Sequence, residues 1–455
     1  MRQYDAVVIG AGQGGVPLAV ELAGHGKQTA IIESDHVGGS CINYGCTPTK
    51  TMIAGSRAAY TASQGDKYGF SCGTVKTDFS KVIERRNSVV ESFRKSTLDR
   101  ITGTENLDLI RGRAFFTGSR EISIKTREGE DQLSAGMIFI NTGARDRIPD
   151  IPGLDTVPWH NSASIQTLDK LPEKLAIIGG GYIGTEFGQM FSRYGSRVVM
   201  IDRGERLLKH EDPEVSEKIG EIFRDEGIEL CFSCVPDSVR TRGNRILLER
   251  EGQDDIECSH LLVAAGRVSA TQDLDPGAAG LETGKGGLIP VNERLESKVS
   301  GIWVLGDAKG PPAFTHISYD DYRVISRNLF GDGKGTAAGR NVPYTVYTDP
   351  ELGRVGVTEQ QAQESGKRYK KVSMPAGYMA RAVEMGRTQG MLKALIDAES
   401  GHILGFTALA PYGGEIASVI QTAMMGGLTY KDLRDAVYAH PALSESLNNL
   451  FAQAD

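Results

Sequence analysis

One pattern occurs twice in the chain and restricts its fold more than any other feature. Gly10, Gly12 and Gly15 follow the apolar run Ala6 to Ile9, and Gly179, Gly181 and Gly184 follow KLAII. Each set has the spacing G-x-G-x-x-G. A helix-like stretch comes next, then a second apolar strand ending on an acid: QTAIIES supplies Glu33 and SRVVMID supplies Asp202. The last glycine precedes the acid by 18 residues in both copies (15 to 33, 184 to 202). Strand, glycine turn, helix, strand and acid form a dinucleotide-binding βαβ opening. The glycines let the backbone approach a pyrophosphate at a helix N-terminus, and the acid hydrogen-bonds a ribose. A single glycine motif is weak evidence. Two in matching context predict two dinucleotides bound at once, a pairing that points to electron transfer between them.

Further segments extend the pattern. MIFINTGARDRIP (Met137 to Pro149) follows the first copy and HLLVAAGRV (His260 to Val268) the second, each an apolar strand running into a small-residue turn that includes Gly143 or Gly266. The strand-like GIWVLGDAKG ends at Gly306 and Asp307. An acid there can bond a cofactor hydroxyl, with the next helix offering its N-terminus to phosphate. The last third alternates like antiparallel strands in VPYTVYTDPELGRVGVT, YKKVSMPAG and GMLKALIDAESGHILGFTAL, then turns helix-like in GGEIASVIQTAMMGG and TYKDLRDAV. The predicted fold is α/β: two Rossmann-type domains plus a C-terminal α+β domain.

Charge and composition limit the partners. A net charge of -7 over 455 residues argues against nucleic-acid binding, because nothing neutralises phosphate in bulk. No apolar run has the length of a membrane span. MRQYDAVVIGAG begins a strand without a leader pattern, so a cytoplasmic protein with no membrane partner is expected.

Six cysteines are too few for a disulfide scaffold of this size. Two of them, Cys41 and Cys46, stand in GGSCINYGCTPTK, just beyond the first nucleotide unit. Pro48 suits the first turn of a helix read over TPTKTMIAGSRAAYTA, which puts Cys46 at its N-terminus. The dipole there favours a thiolate, and Lys50 adds positive charge. A redox couple is favoured over a buried structural pair, and a zinc site lacks further ligands, so no metal is expected. In CFSC, Cys231 and Cys234 are read as ordinary packing in preference to metal or redox work, and Cys72 and Cys258 as inert. His440 in AHPALSE, with Glu445 five residues on, is equally a surface histidine or a base held by a carboxylate.

Over essentially its whole length the chain resembles the FAD-dependent pyridine nucleotide–disulfide oxidoreductases, with the motifs in family order. FTHISYDDYRV, NVPYTVYTDPELGRVGVTE and HPALSESLNNLF are most similar to the mercuric-reductase-like branch, which includes a reactive-chlorine-resistance flavoprotein, a hypothiocyanous acid reductase. The resemblance implies an FAD-binding domain (1–147 and 268–338), an NAD(P)-binding domain (148–267) and a dimerisation domain (339–455). It assigns Glu33 to the adenosine ribose of FAD and Asp307 to its ribityl–pyrophosphate portion, with backbone contacts from Ala114, Thr142 and Gly143. It makes Cys46 the charge-transfer thiol and Cys41 the interchange thiol. Lys50 and Glu186 become an ion pair near the flavin, and Tyr182 a gate over the nicotinamide pocket. His440 and Glu445 act on the second subunit's cysteines in a homodimer. Electrons then run from NAD(P)H through FAD and the Cys41–Cys46 disulfide to a small oxidant.

Departures narrow the substrate. Mercuric reductases carry an extra cysteine pair at the C-terminus, where this sequence reads SLNNLFAQAD, which counts against mercury. Asp202 suits NADH, whereas Arg203 and Lys209 fall where NADPH users of the family hold the 2′-phosphate; the balance leans slightly to NADH. Two other readings stay open: a lipoamide dehydrogenase-type subunit of a multienzyme complex, and a quinone reductase or transhydrogenase that bypasses the dithiol.

Overall fold

The computed structural model describes residues 1–455. The chain forms two compact units, each assembled from separate stretches of sequence. The first comprises Met1–Thr51, Ile83–Arg147 and Gly266–Arg340; the second comprises Met52–Val82, Ile148–Ala265 and Asn341–Asp455.

The first unit is built on a sheet whose parallel part runs Leu107–Arg111, Thr29–Glu33, Arg2–Ile9, Glu130–Ile140. Ile302–Val304 pairs parallel with Glu130–Ile140, and Glu121–Lys125 and Arg113–Gly118 extend the sheet antiparallel. Ala6 to Ile9 are all buried, so this strand reads as a continuous apolar run, not an alternating one, as parallel strands covered on both faces do. Apolar side chains such as Leu18 and Leu22 of helix Gly15–Gly24 cover one face together with Val8 and Ile31. Ile122, Ile124 and Ile302 pack with Val7 and Ile32 in a second cluster.

The second unit repeats the arrangement. Its parallel sheet runs Glu229–Cys231, Arg197–Ile201, Lys174–Ile178, His260–Val263, Trp159–His160. In both sheets the strand before the glycines is flanked by the acid-ended strand on one side. On the other side lies the strand read from MIFINTG or HLLVAAG. The order reverses beside that first strand, where open α/β sheets place their ligand crevice. This unit also contains a three-stranded antiparallel sheet, Ser238–Arg242, Arg245–Glu249 and Ile256–Cys258, and a five-stranded antiparallel one. The latter runs Tyr344–Val346, Glu351–Gly356, Ile403–Ala410, Met391–Asp397, Tyr369–Pro375. Helix Gly413–Met425 and the last helix, Ser446–Phe451, contribute Ile420, Leu447 and Phe451 to one core with Leu392 and Phe406.

One local expectation differs. Asp307 lies within a single 3₁₀ turn, Gly306–Lys309, and the next α-helix starts only at Thr315. Pro311 and Pro312 lie between, and neither can extend a helix through its missing N–H.

Candidate active site

In the first unit, the cysteine segment is laid on the first glycine turn by backbone contact. The Gly38 N–H donates to the Ala11 carbonyl at 2.7 Å. Gly39 has φ +62°, and a Cβ on it would stand 2.8 Å from the Gly12 Cα, so this position requires glycine for the approach. Asn43, 1 % exposed, ties the loop together. Its amide donates to the carbonyls of Val37 (3.0 Å) and Gly39 (2.9 Å), and its oxygen accepts from Arg94 Nε at 2.8 Å. Sequence reasoning passed over Asn43, although its place between the two cysteines was a signal.

Cys41 lies in the short helix Gly39–Asn43, and Cys46 is the first residue of helix Cys46–Ser63. Both are half-buried thiols. The Cys41 thiol is pushed well above the ordinary thiol range. Its hydrogen bond to Cys46 is the main cause, followed by burial and the charge of Cys46; Thr315 and the Lys50 ammonium act in the opposite sense. The bond to Cys46 thus raises the affinity of Cys41 for its proton. Cys46 Sγ lies 3.2 Å from the hydroxyl of Thr315, the first residue of helix Thr315–Phe330. The sulfur thus sits beside two helix N-termini, whose dipoles favour negative charge. Thr315 escaped sequence reasoning. Lys50 is one turn along the helix from Cys46.

The two glycine turns have the same hydrogen-bond plan. Gly10 N–H donates to the Ile32 carbonyl and Gly179 N–H to the Ile201 carbonyl, both at 2.8 Å. Glu33 accepts the N–H groups of Ala11 (2.9 Å) and Asp35 (2.8 Å); Asp202 accepts those of Gly180 and Gly204, both at 2.6 Å. A Cβ on Gly15 would meet the Gly10 carbonyl oxygen at 2.1 Å, and one on Gly184 the Gly179 oxygen at 1.9 Å, so the third glycine of each motif lets the helix close on the turn. Neither helix Gly15–Gly24 nor helix Tyr182–Tyr194 has a side-chain cap at its N-terminus, and Gly12 and Gly181 stand just ahead of them.

The other predicted contacts distribute as follows. Thr142 and Gly143 follow strand Glu130–Ile140, beside Gly10, and the buried Thr142 hydroxyl has no protein partner. Ala114 is buried in strand Arg113–Gly118. Asp307 Oδ2 pairs with Arg267 at 3.0 Å. The Gly266 carbonyl accepts the Arg147 N–H at 2.9 Å. Arg203 and Lys209 are exposed in the stretch after Asp202.

In the second unit, Tyr182 opens helix Tyr182–Tyr194 and its hydroxyl donates to Glu211 Oε1 at 3.2 Å. Tyr344 donates to the same oxygen at 2.5 Å, and Arg354 holds Glu211 Oε2 at 3.1 Å. Burial, then the Glu211 charge, pushes Tyr182 up to about 12. Glu211 and Arg354 went unread in the sequence, since a charged residue alone carries no burial signal. Glu186, on the same helix, accepts the Tyr347 N–H at 2.9 Å. His440 Nδ1 lies 3.0 and 3.2 Å from the two Glu445 carboxylate oxygens, with most of the imidazole exposed.

Comparison with known proteins decides the family. A model described as "Pyridine nucleotide-disulphide oxidoreductase" matches residues 4–321, and one for that family's dimerisation domain matches 342–451. The chain belongs to this family. Among relatives of this oxidoreductase, the probable pyridine nucleotide-disulfide oxidoreductase RclA of Escherichia coli is 38% identical, covering 99% of both chains. A mercuric reductase of Staphylococcus aureus is 32% identical over 98% of this chain and 81% of its own. A solved structure, the Cu(II) complex of HOCl-induced flavoprotein disulfide reductase RclA from E. coli, superposes with a TM-score of 0.93 at 37% identity, covering both chains fully.

The family pairs FAD with NAD(P)H, and the residues fit both. The helix N-termini behind the Cβ-free turns and the orphaned Thr142 hydroxyl fit a bound pyrophosphate and its neighbouring groups. No helix is long and apolar enough to cross a membrane.

Proposed function

We propose that this oxidoreductase carries electrons from NAD(P)H to a small oxidant through a Cys41–Cys46 disulfide, the oxidant being hypothiocyanous acid, a disulfide, or a metal ion such as Cu(II) or Hg(II). The observation that carries the reading is the cysteine geometry: Cys41 hands its hydrogen bond to Cys46, which sits at a helix start, on a segment packed against Gly12 of the first nucleotide turn. The first turn, with Glu33, Ala114, Thr142, Gly143 and Asp307, would hold FAD, and the second, with Asp202, Arg203 and Gly266, the nicotinamide nucleotide. FAD, when bound, supplies the ring that relays an electron pair from NAD(P)H to the disulfide. The same family reading makes Lys50 and Glu186 an ion pair near the flavin and Tyr182 a gate over the nicotinamide pocket. NADH is favoured slightly, because Asp202 repels a 2′-phosphate.

Cys41 holds its proton, so its attack on an oxidant needs a base. His440, braced by Glu445, fills that role from the second subunit of a homodimer. With hypothiocyanous acid, the Cys41 sulfur bonds the thiocyanate sulfur and the S–O bond breaks. His440 passes the Cys41 proton to the leaving hydroxide, giving water. Cys46 then attacks the Cys41 sulfur and expels thiocyanate, restoring the disulfide. Support for the dimer comes from the apolar surface of the C-terminal segment: Val437 is 99% exposed and Met425 75%, and both lie in the stretch matched by the dimerisation-domain model. The division into 1–147 with 268–338, 148–267 and 339–455 follows the same reading, and a cytoplasmic location goes with it.

The test is an anaerobic titration of the purified yellow protein with NADH, followed by a panel of hypothiocyanite, glutathione disulfide, lipoamide, Cu(II), Hg(II) and quinone. A long-wavelength thiolate–flavin band that disappears in Cys46→Ser, with loss of oxidant reduction, is expected. Full turnover in Cys46→Ser would refute the dithiol route and favour the quinone reductase reading. Lipoamide as the preferred substrate would favour a dehydrogenase of the kind found in Thermus scotoductus, whose dihydrolipoyl dehydrogenase is 31% identical over 98% of this chain.

A further inference from the structure

The second cysteine motif, Cys231 to Cys234, frames the turn that carries Asp202. Cys231 closes strand Glu229–Cys231, the parallel neighbour of Arg197–Ile201. Its carbonyl accepts the Asp202 N–H at 3.0 Å, the Cys234 N–H donates to the Asp202 carbonyl at 3.0 Å, and the Ser233 N–H donates to the Gly204 carbonyl at 2.8 Å. The Asp202 carboxylate is itself held by Gly180 and Gly204. The dithiol segment and the acid therefore share one frame of hydrogen bonds.

The side chains are arranged for more than packing. Ser233 takes φ +50°, a left-handed conformation uncommon for a residue with a Cβ, within the loop that returns Cys234 toward Cys231. The two thiols are hydrogen-bonded to each other. Arg250 Nη1 donates to Cys231 Sγ at 3.1 Å and to Cys234 Sγ at 3.6 Å. Cys234 also lines a cavity of about 330 Å³ with Ser233, Asp237, Arg250 and Gln253. A packing pair needs neither a guanidinium on both sulfurs nor an opening beside one of them.

We propose that Cys231 and Cys234 are a second dithiol–disulfide couple, oxidised by a small hydroperoxide, and that the disulfide lowers affinity for the nicotinamide nucleotide at Asp202. Cys234, 4% exposed and a lining residue of the cavity, attacks one peroxide oxygen; the O–O bond breaks, and the leaving hydroxide takes the Cys234 proton as water. Burial, then the bond to Cys234, pushes the Cys231 thiol up to about 11, so it keeps its proton until it is used. Its sulfur then attacks the Cys234 sulfenic sulfur, the S–O bond breaks, and hydroxide departs with the Cys231 proton as a second water. The sulfurs lose one electron pair and the peroxide oxygens gain it. Closing the bond shortens the sulfur separation from hydrogen-bond range to about 2.05 Å and draws the two backbones together. Asp202 hangs between those backbones, so its carboxylate shifts off the ribose position.

The inference rests on the reading of Asp202 as a nucleotide contact, and the experiment separates the two. Holoenzyme with Cys41–Cys46 already oxidised is treated with hydrogen peroxide, alkylated with N-ethylmaleimide and mapped by mass spectrometry, alongside steady-state kinetics. The 231–234 peptide should be unalkylated and lighter by two hydrogens. KM for NADH should rise about threefold, as for a weakened hydrogen bond, with kcat kept and dithiothreitol reversing the change. Cys231→Ser and Cys234→Ser should keep the untreated KM in peroxide. Alkylation of both cysteines after peroxide, or a mapped disulfide with unchanged KM, overturns the proposal. Asp202→Ala is measured separately: a KM unaffected by that substitution defeats the nucleotide reading while leaving the mapped disulfide a fact.

Discussion

Replacing Asn141 by leucine tests what holds the first glycine turn. Asn141 follows strand Glu130–Ile140 and is 6% exposed. Its Oδ1 accepts the Gly15 N–H at 2.9 Å; its Nδ2 donates to the Leu305 carbonyl at 3.1 Å and reaches Ser318 Oγ at 3.3 Å. One side chain thus binds the start of a helix, the end of strand Ile302–Val304 and helix Thr315–Phe330. Leucine has nearly the same shape, so packing survives and only the polar partners are lost. Gly15 N–H and Leu305 C=O then stand buried without a partner, at roughly 1–3 kcal/mol each. The serine hydroxyl can turn elsewhere, and the apolar gain of leucine offsets about 1–2 kcal/mol. The net loss is about 3 kcal/mol, a large part of the ~5–15 kcal/mol that holds a domain folded. Urea unfolding followed by flavin fluorescence, with FAD content of the purified protein, reads it. Asn141→Leu should unfold at clearly lower urea and retain less FAD. Ser318→Ala, which removes only the longest bond, should cost under about 1 kcal/mol. A leucine variant with wild-type midpoint and full flavin would show that the turn is held by other contacts.

Asp202→Ala removes a carboxylate from the position of the 2′-phosphate, worth about 1 kcal/mol near water, so the ratio of NADPH to NADH activity should rise roughly fivefold; an unchanged ratio refutes the assignment. His440→Gln should slow oxidant reduction about a hundredfold while leaving the rate of reduction by NADH intact, as stopped-flow separation of the half-reactions would show; equal slowing of both would deny it a role as base. The buried Cys258 thiol is pushed by burial from 9.0 to about 11. Because the folded chain binds that proton more tightly, its contribution is complete below pH 9 and is lost as pH rises through 11. The unfolding free energy from urea titrations between pH 9 and 11 should therefore fall by up to ~1.4 kcal/mol per pH unit more steeply in the wild type than in Cys258→Ala; parallel curves would refute it.

What could be read from the sequence was what the chain encodes locally. The glycine spacing and the acid that follows translate directly into neighbouring strands, because a βαβ unit brings its own ends together; the shared hydrogen-bond plan of Gly10 with Glu33 and Gly179 with Asp202 is the result. The cysteine segment was legible for the same reason, since a proline at the third helical position marks the helix that Cys46 starts. Long-range partners were not. Thr315 is 269 residues from Cys46, Asn141 lies 126 from Gly15, and Arg354 lies 143 from Glu211. Nothing near any of these residues announces its partner. Helix Phe79–Thr102 went unread because its exposed face is crowded with charge and carries no motif. This division has a chemical meaning. Local pattern supplies the sulfur and the turn, but the Thr315 hydroxyl at 3.2 Å from Cys46 Sγ is brought in by tertiary folding. Two cysteines at the same spacing on a chain lacking Thr315 and its helix would share the motif without the same poise.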